Sequence, residues 1–377
     1  MLKVFISIDW YLPGTNAGGP VRSVANLVAA LPSFNFFIVT RNTDYCSTKP
    51  YQGISFNCWV RQSHNCHVYY ASSITQPELT RLIHEVRPQC LYVNGVFSKK
   101  YSRWPVTIGQ KLGIKTILAP RGMLSPHSLK VKPYKKYPFV LLQRLIGTFS
   151  KVHFQVTAAA EAGHVKRLFP TNAGIHTISN LPTCNTQSPV TVTKRAGMVK
   201  LLYLGRIAPE KGTLEAIKAL AGIKGSVELQ IFGTCYNQAY WQACQAQMAL
   251  LPGNCRVHYG GALQADSPAF YKTIDQSHAL LLPSYGENFG HSIVECLSRG
   301  RPVIISTNTP WQNMAAVKAG MDVPVSQLPA CIDQVLNFSQ EEYDQWVHGA
   351  FDYYVSKVVS RFGIDVSKYK KMFFNEG

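Results

Sequence analysis

Two glutamates, Glu287 and Glu295, lie eight positions apart on either side of a glycine-containing turn. The apolar run 279–282 before them predicts a buried strand, and residues 292–297 predict the first turns of a helix. Both carboxylates can then face a ligand at the helix N-terminus, where free backbone N–H groups favour an anion such as phosphate. Carboxylates beside such a site accept hydrogen bonds from hydroxyls, so a sugar or ribose is expected there. The alternative is that Glu287 caps a loop and Glu295 is a solvated helix residue.

Two cations, Arg206 and Lys211, fall on one predicted strand-to-helix turn. Residues 201–204 predict the strand, and residues 213–220 predict the helix. Arginine offers a planar fork of donors for phosphate oxygens, and lysine offers a point charge. The turn is therefore suited to a pyrophosphate, unless it is an ordinary surface turn with two solvated cations.

A glycine-containing loop with Gly18 and Gly19 follows the first predicted strand, residues 3–8. Pro20 then opens a predicted helix over residues 21–31, as proline often does at the first helical position. The loop is not G-x-G-x-x-G, and no acidic residue follows at the expected distance in a clear second strand. A nicotinamide cofactor is therefore disfavoured.

Taken in order along the chain, these three features resemble the retaining glycosyltransferases of family 4. The glutamates resemble the E-x7-E signature of that family, and residues 205–212 resemble its G-R-x4-K-G stretch. The resemblance implies the α/β fold called GT-B, with two Rossmann-like domains facing across a cleft. It also implies that Arg206 and Lys211 bind the donor pyrophosphate, that Glu287 contacts the transferred sugar, and that Glu295 contacts the ribose.

The resemblance further implies a nucleotide-sugar donor and a front-face reaction, in which the departing phosphate takes the acceptor proton. The other expected donor contacts are Gly18, Gly19, Asn288, Phe289 and Gly290. No D-x-D sequence occurs in the chain, so we expect no metal ion and no cofactor besides the donor itself.

One stretch of the first half, residues 119–126, looks like the P-R-G-M-L segment of bacterial surface-polysaccharide members of the family. It implies a lipid-linked or polysaccharide-precursor acceptor, in lipopolysaccharide or capsule biosynthesis. Many members have a histidine in the corresponding loop, near the reacting sugar. Arg121 occupies that place here and His127 follows, so both are candidate acceptor contacts.

The formal net charge is +18, and residues 1–190 carry +16 of it. The densest cluster, beside aromatic residues and the apolar run 139–142, is Lys130, Lys132, Lys135 and Lys136. Such a cluster suits an anionic membrane surface or a lipid-pyrophosphate acceptor. No nucleic-acid-binding motif accompanies it, so nucleic acid is not an expected partner. A basic surface that only confers solubility remains the alternative.

The cellular location is indicated by several weaker signals. Ten cysteines occur without a C-x-x-C pair, which is typical of a reducing compartment. No apolar run is long enough to span a membrane, and Asp9 interrupts the first apolar stretch, so this stretch predicts a strand and not a signal peptide. We therefore expect a cytoplasmic protein, bound peripherally to the inner face of the cell membrane.

Apolar strand-like runs alternate with helical patterns along the chain, which favours parallel sheets. The polar, proline-bearing stretch 181–189 predicts a linker between an acceptor-binding domain, 1–185, and a nucleotide-sugar-binding domain, 186–377. We expect the last helix to pack back on the first domain. Two other functions stay open: another GT-B enzyme such as a nucleotide-sugar epimerase or sugar phosphorylase, and a non-catalytic basic protein that binds membrane or nucleic acid.

Overall fold

The computed structural model describes residues 2–184 and 188–374, and the chain divides into two compact units. The first unit runs to Leu181 and also includes the chain from Gly363 onward, and the second is Pro182–Phe362. The predicted boundary between residues 185 and 186 lies outside the described residues, and so does the middle of the predicted linker.

The first unit is built on an eight-stranded sheet. Its strands are β1 (Leu2–Ile8), β2 (Phe34–Arg41), β3 (Trp59–Ser63), β4 (Cys66–Ala71), β5 (Cys90–Asn94), β6 (Lys115–Ala119), β7 (His153–Val156) and β8 (Gly174–Thr177). They lie in the order β3-β4-β2-β1-β5-β6-β7-β8, and β3 runs antiparallel to β4 while the other neighbouring pairs are parallel. The order reverses between β1 and β5, so the carboxyl ends of these two strands define the switch point of the sheet.

Helices cover this sheet because its central strands are apolar on both faces. All five residues from Val4 to Ile8 are buried, as expected for a parallel strand between two helical layers. The helices are α1 (Gly19–Ala30), α2 (Gln76–Val86), α3 (Trp104–Lys111), α4 (Pro126–Lys130), α5 (Pro133–Leu145) and α6 (Ala159–Leu168). A π-helical turn, Lys99–Arg103, leads into α3.

The second unit is a six-stranded parallel sheet in the order β11-β10-β9-β12-β13-β14. Its strands are β9 (Met198–Leu204), β10 (Ser226–Phe232), β11 (Cys255–Tyr259), β12 (Ala279–Leu282), β13 (Val303–Ser306) and β14 (Gly320–Val323). Its helices are α7 (Thr213–Lys218), α8 (Gln238–Ala249), α9 (Pro268–Asp275), α10 (His291–Ser298), α11 (Leu328–Asn337) and α12 (Gln340–Tyr354). The prediction of two Rossmann-like α/β domains is confirmed.

After α12 the chain stays helical, through a π-helical segment Val355–Val359 and then α13 (Ser360–Phe373). The Phe373 ring lies 5.9 Å from that of Phe34 and 5.6 Å from that of Tyr92, measured between ring centres. These contacts bury the end of α13 against the sheet of the first unit.

Candidate functional site

The turn that carries Arg206 and Lys211 connects β9 to α7. The Tyr203 hydroxyl, at the buried end of β9, donates to the Lys211 carbonyl at 3.1 Å. Burial raises the pKa of Tyr203 well above its ordinary value, so this hydroxyl stays protonated. Gly212 has a φ of 68°, and a Cβ there would lie 2.2 Å from the carbonyl oxygen of Pro283. Only glycine lets the turn approach the loop after β12 so closely.

The loop after β12 is bound to this turn by hydrogen bonds. The Tyr285 amide donates to the Glu210 carbonyl at 3.0 Å, and the Ser284 hydroxyl donates to the same oxygen at 3.1 Å. On its other side the loop is held by the Glu287 amide, which donates to the Asn308 carbonyl at 3.3 Å. The loop is therefore fixed from both neighbouring segments.

The two predicted motifs meet in an ion pair, in which Lys211 Nζ lies 2.5 Å from Glu287 Oε1. Their side chains are only 19% and 10% exposed. They are 76 residues apart in sequence, and they come together because β9 and β12 are neighbours whose carboxyl ends share one edge. An ammonium group has three protons, so two remain for an anion after Glu287 has taken one. The sequence indicated both residues but not this pairing.

The Arg206 guanidinium lies on the same turn and is more exposed. Its Nη2 is 3.3 Å from Glu210 Oε1, and the two side chains are 33% and 41% exposed. A pair this exposed contributes at most about 1 kcal/mol, so exchanging Glu210 for a phosphate oxygen costs little.

Glu295 lies on α10, and only 8% of the residue is exposed. The alternative of a solvated helix residue is therefore wrong. Gly290, with a φ of 79°, is the N-cap of this helix, and Asn288 is half-buried just before it. The indole of Trp311 donates to the Phe289 carbonyl at 2.6 Å and fixes the entry to the helix. Glu295 therefore lies on a buried helix whose start is fixed, directly after the loop that carries Glu287.

In the first unit, Gly18 is the N-cap of α1 and Gly19 is its first residue. Gly18 has a φ of 70°, and a Cβ placed on it would meet nothing within 4 Å, so backbone conformation and not space requires glycine there. The preceding loop is held by Asp44 Oδ2, which accepts from the amides of Thr15 at 3.0 Å and Asn16 at 3.2 Å.

Arg121 lies just after β6, and its guanidinium bonds to groups of its own unit. Its Nε donates to Asn94 Oδ1 at 2.7 Å, its Nη2 donates to the Tyr92 hydroxyl at 2.9 Å, and its Nη1 donates to Asn180 Oδ1. Its φ of 55° is in the left-handed region, which few side chains adopt. These bonds position Arg121 at the carboxyl ends of β5 and β6, and its acceptor role stays a prediction.

The lysine cluster lies on α4, on α5 and on the turn between them. The residues that project into solvent are His127, Lys130, Lys132 and Lys135. Lys136 differs, because its Nζ donates to the Ser128 carbonyl at 2.6 Å and lies 5.2 Å from the centre of the Phe97 ring. It supports the end of α4, so it is less available to a partner than the sequence indicated.

The same segment exposes large apolar side chains, which together with the exposed lysines we call the α5 face. They range from 49% exposed at Tyr137 to 75% at Leu145, and they are Val131, Tyr134, Tyr137, Leu141, Leu142, Leu145 and Ile146. Among the described residues no helix has the length and apolarity needed to cross a membrane.

A further charged pair, Asp9 and Arg41, lies at the carboxyl ends of β1 and β2. Arg41 Nη2 and Nε lie 2.9 and 3.3 Å from Asp9 Oδ1, and the Ser98 hydroxyl donates to the same oxygen at 2.9 Å. Burial raises the pKa of Asp9, although Arg41 acts in the opposite direction. The sequence patterns did not indicate this pair, although Asp9 directly follows the apolar run of β1 and Arg41 is the last residue of β2.

Comparison with known proteins identifies the fold. Residues 189–318 match the family described as Glycosyl transferases group 1, and no curated protein sequence matches the chain. Among solved structures, sucrose-phosphate synthase from Thermosynechococcus elongatus is 16% identical, with 99% of each chain covered and a TM-score of 0.74. WaaG, a glycosyltransferase involved in lipopolysaccharide biosynthesis, is 12% identical over 100% of each chain, with a TM-score of 0.68. HepE from Anabaena, solved with UDP and glucose, is 14% identical, covers 98% of this chain and 100% of its own, and has a TM-score of 0.67.

The class follows from these observations. The chain has the GT-B fold, as the sequence predicted, and residues 189–318 match the model of the Glycosyl transferases group 1 family. That segment contains the Arg206/Lys211 turn and both glutamates.

Proposed function

We propose that this protein is a retaining glycosyltransferase of the family 4 type. It transfers a sugar from a nucleotide-sugar to a lipid-linked or polysaccharide-precursor acceptor in cell-surface polysaccharide biosynthesis. The observation that carries the proposal is the Lys211–Glu287 ion pair. It joins the two motifs of the group 1 segment at the carboxyl edge of a parallel sheet, where such folds bind nucleotides.

The second unit supplies the donor contacts in this proposal. The leaving group is a nucleoside diphosphate, and stabilising its developing charge is usually the largest catalytic contribution. Lys211 and Arg206 bind its phosphates, together with the backbone amides at the start of α10. Glu287 accepts from hydroxyls of the transferred sugar, and Glu295 accepts from the ribose.

Retention follows from a front-face step. The bond between the anomeric carbon and the phosphate oxygen breaks, the acceptor oxygen bonds to the same face, and the acceptor proton passes to the departing phosphate. Glu287 is not assigned as a nucleophile, because its carboxylate is paired with an ammonium group at 2.5 Å. The Lys211 charge stabilises the leaving group, so the step requires no metal ion or cofactor.

The α5 face supports a lipid-linked acceptor and peripheral binding to the inner face of the cell membrane. Apolar side chains beside exposed lysines suit an interfacial helix on anionic lipid, to which each well-placed cation contributes about 1 kcal/mol. WaaG, which acts in lipopolysaccharide biosynthesis, has the same fold and supports the surface-polysaccharide assignment.

Vesicle co-sedimentation tests the membrane proposal. The variant replaces Lys130, Lys132 and Lys135 by serine and keeps Lys136, because Lys136 supports α4. We expect it to lose binding to phosphatidylglycerol vesicles at low salt. The control replaces three exposed lysines of the second unit: Lys218, Lys224 and Lys272. Equal binding by both variants would contradict a role for the α5 face.

Product analysis tests the function as a whole. The protein is incubated with nucleotide-sugars and a lipid-linked acceptor, with and without EDTA, and the new linkage is examined by NMR. We expect a product with the anomeric configuration of the donor, at a rate that EDTA leaves unchanged. Conversion of the donor without acceptor would favour an epimerase. Absence of any reaction or nucleotide binding by folded protein would favour a non-catalytic basic protein.

A further inference from the structure

A cavity of about 120 Å³ lies in the first unit, at the carboxyl ends of β2 and β4. Its lining comes from the residues at and after the carboxyl ends of β2 and β4 and from the π-helical turn after β5. The polar lining includes Arg41, Asn42, Ser72, Ser73 and Lys100. We call it the Arg41 cavity. Ligands of parallel α/β sheets bind outside the carboxyl ends of the strands.

The hydroxyls of the Arg41 cavity are set as donors. Ser72 Oγ accepts from Asn42 Nδ2 and from Asn57 Nδ2, both at 3.3 Å. A hydroxyl oxygen has two lone pairs, so the proton of Ser72 is left to donate to a ligand. Lys100 Nζ donates to Ser73 Oγ at 3.4 Å, which likewise leaves the Ser73 proton and two ammonium protons.

The Arg41 guanidinium is held in one orientation. Its Nε and Nη2 are bound to Asp9, and its central carbon lies 5.4 Å from the ring centre of Trp10 and 5.2 Å from that of Tyr101. Among the described residues Nη1 has no hydrogen bond, and the side chain is 40% exposed. The two hydrogen bonds to Asp9 and the two nearby aromatic rings restrict the guanidinium, so Nη1 can receive a ligand at little further cost in conformational freedom.

These groups define the ligand's chemistry. Two cations and two hydroxyls converge on the cavity, and none of its described lining residues is a carboxylate. Its volume equals that of about four waters, which fits one oxyanion but is well below the 300 Å³ or more of a typical ligand pocket. We propose that the Arg41 cavity binds a phosphate or carboxylate group carried by the acceptor sugar. The link to the acceptor rests on the proposed function, whereas binding of the anion itself does not.

Thermal-shift titration of the full chain tests this inference. Inorganic phosphate, glucose 6-phosphate, glucuronate and uncharged glucose are compared, and UDP, GDP, ADP and CMP are titrated in parallel. The test variant is Lys100→Gln, and the matched control is Lys99→Gln, which removes the same charge from the exposed neighbour outside the cavity. Ser72→Ala removes one donor without any change of charge.

We expect a saturable shift with glucose 6-phosphate or glucuronate and none with glucose; the sugar that binds distinguishes phosphate from carboxylate. Lys100→Gln should weaken that binding about tenfold or more, because it removes a charged hydrogen-bond donor from the anion. Ser72→Ala should weaken it less, and Lys99→Gln should not. No shift with any anion, or equal loss in Lys99→Gln and Lys100→Gln, would overturn the inference. Shifts with a nucleotide but with none of phosphate, glucose 6-phosphate and glucuronate would reject this inference alone. Shifts with phosphate or an acidic sugar but with no nucleotide would reject the proposed function, and with it the link to the acceptor, and would leave the binding of the anion standing.

Discussion

Replacing Lys211 by glutamine should lower kcat/KM by about 10² to 10⁴. Glu287 takes one of the three ammonium protons, and the other two are placed to bind the leaving phosphate. Hydrogen bonds to charged groups contribute about 1.5–3 kcal/mol each, so two contribute about 3–6 kcal/mol. Each 1.36 kcal/mol corresponds to a factor of ten in rate, which gives the stated range.

The partner variant, Glu287→Gln, keeps the side-chain shape but removes the ion pair. Lys211 retains its charge and loses its anchor, and the sugar loses one charged acceptor, so we expect a fall of about 10- to 100-fold. Because the two groups are 2.5 Å apart, the fall in kcat/KM of the double variant should differ from the product of the falls in the two single variants. Residues in contact show coupling energies of about 0.5–3 kcal/mol.

The assay measures initial rates over a range of donor concentrations for the native protein, both single variants and the double variant. Melting temperatures confirm that each variant is folded. Lys218→Gln, an exposed lysine in the last turn of α7, controls for loss of one positive charge. Multiplicative effects of the two single changes would refute the reasoning, and so would a folded Lys211→Gln variant as active as Lys218→Gln.

Two further predictions concern stability. Gly212→Ala should destabilise the protein more than Gly197→Ala. Both glycines have positive φ values, but only at Gly212 would a Cβ meet a carbonyl oxygen, at 2.2 Å. Chemical unfolding should show a loss of about 1–2 kcal/mol in the free energy of unfolding for Gly197→Ala and a clearly larger loss for Gly212→Ala. Burial lowers the pKa of His278 from 6.5 to about 4, because the buried ring resists protonation. The contribution of the neutral ring to the free energy of unfolding is therefore fully present above pH 6.5, and it falls by about 3 kcal/mol as the pH drops to 4. In His278→Asn the side-chain oxygen can still accept from the Lys200 amide, and the group that titrates is gone. The urea midpoint of this variant should therefore vary less with pH than that of the native protein. An equal pH dependence in both proteins would contradict the lowered pKa of His278.

The sequence predicted the strands that matter for the donor site because they are buried on both faces. Residues 279–282 form one unbroken apolar run, and β12 has these bounds. Edge strands carry a weaker signal: β8 (Gly174–Thr177) is only partly buried, and the sequence did not indicate it. A pattern of apolar residues identifies strands but not their order, and the Lys211–Glu287 pair depends on that order.

The hydrogen-bond partners of individual side chains could not be predicted from the sequence either, because they depend on how the elements pack. The sequence indicates Lys136 as part of a basic cluster for a membrane or acceptor, and the family resemblance indicates Arg121 as an acceptor contact. The structure shows Lys136 bonded to the Ser128 carbonyl, and Arg121 bonded to Asn94, Asn180 and a tyrosine. These contacts arise from packing between α4 and α5 and between neighbouring strands, which residue spacing does not specify.

Nucleotide binding to the second unit is the central claim, and a thermal-shift panel tests it most directly. UDP, GDP, ADP, CMP and their common sugar conjugates are titrated without metal against the native protein and Glu295→Gln. A ligand that binds only the folded state raises the melting temperature as its concentration rises. We predict a saturable shift with one nucleotide that is strongly reduced in Glu295→Gln. No shift with any nucleotide, or a shift that Glu295→Gln leaves unchanged, would contradict the account.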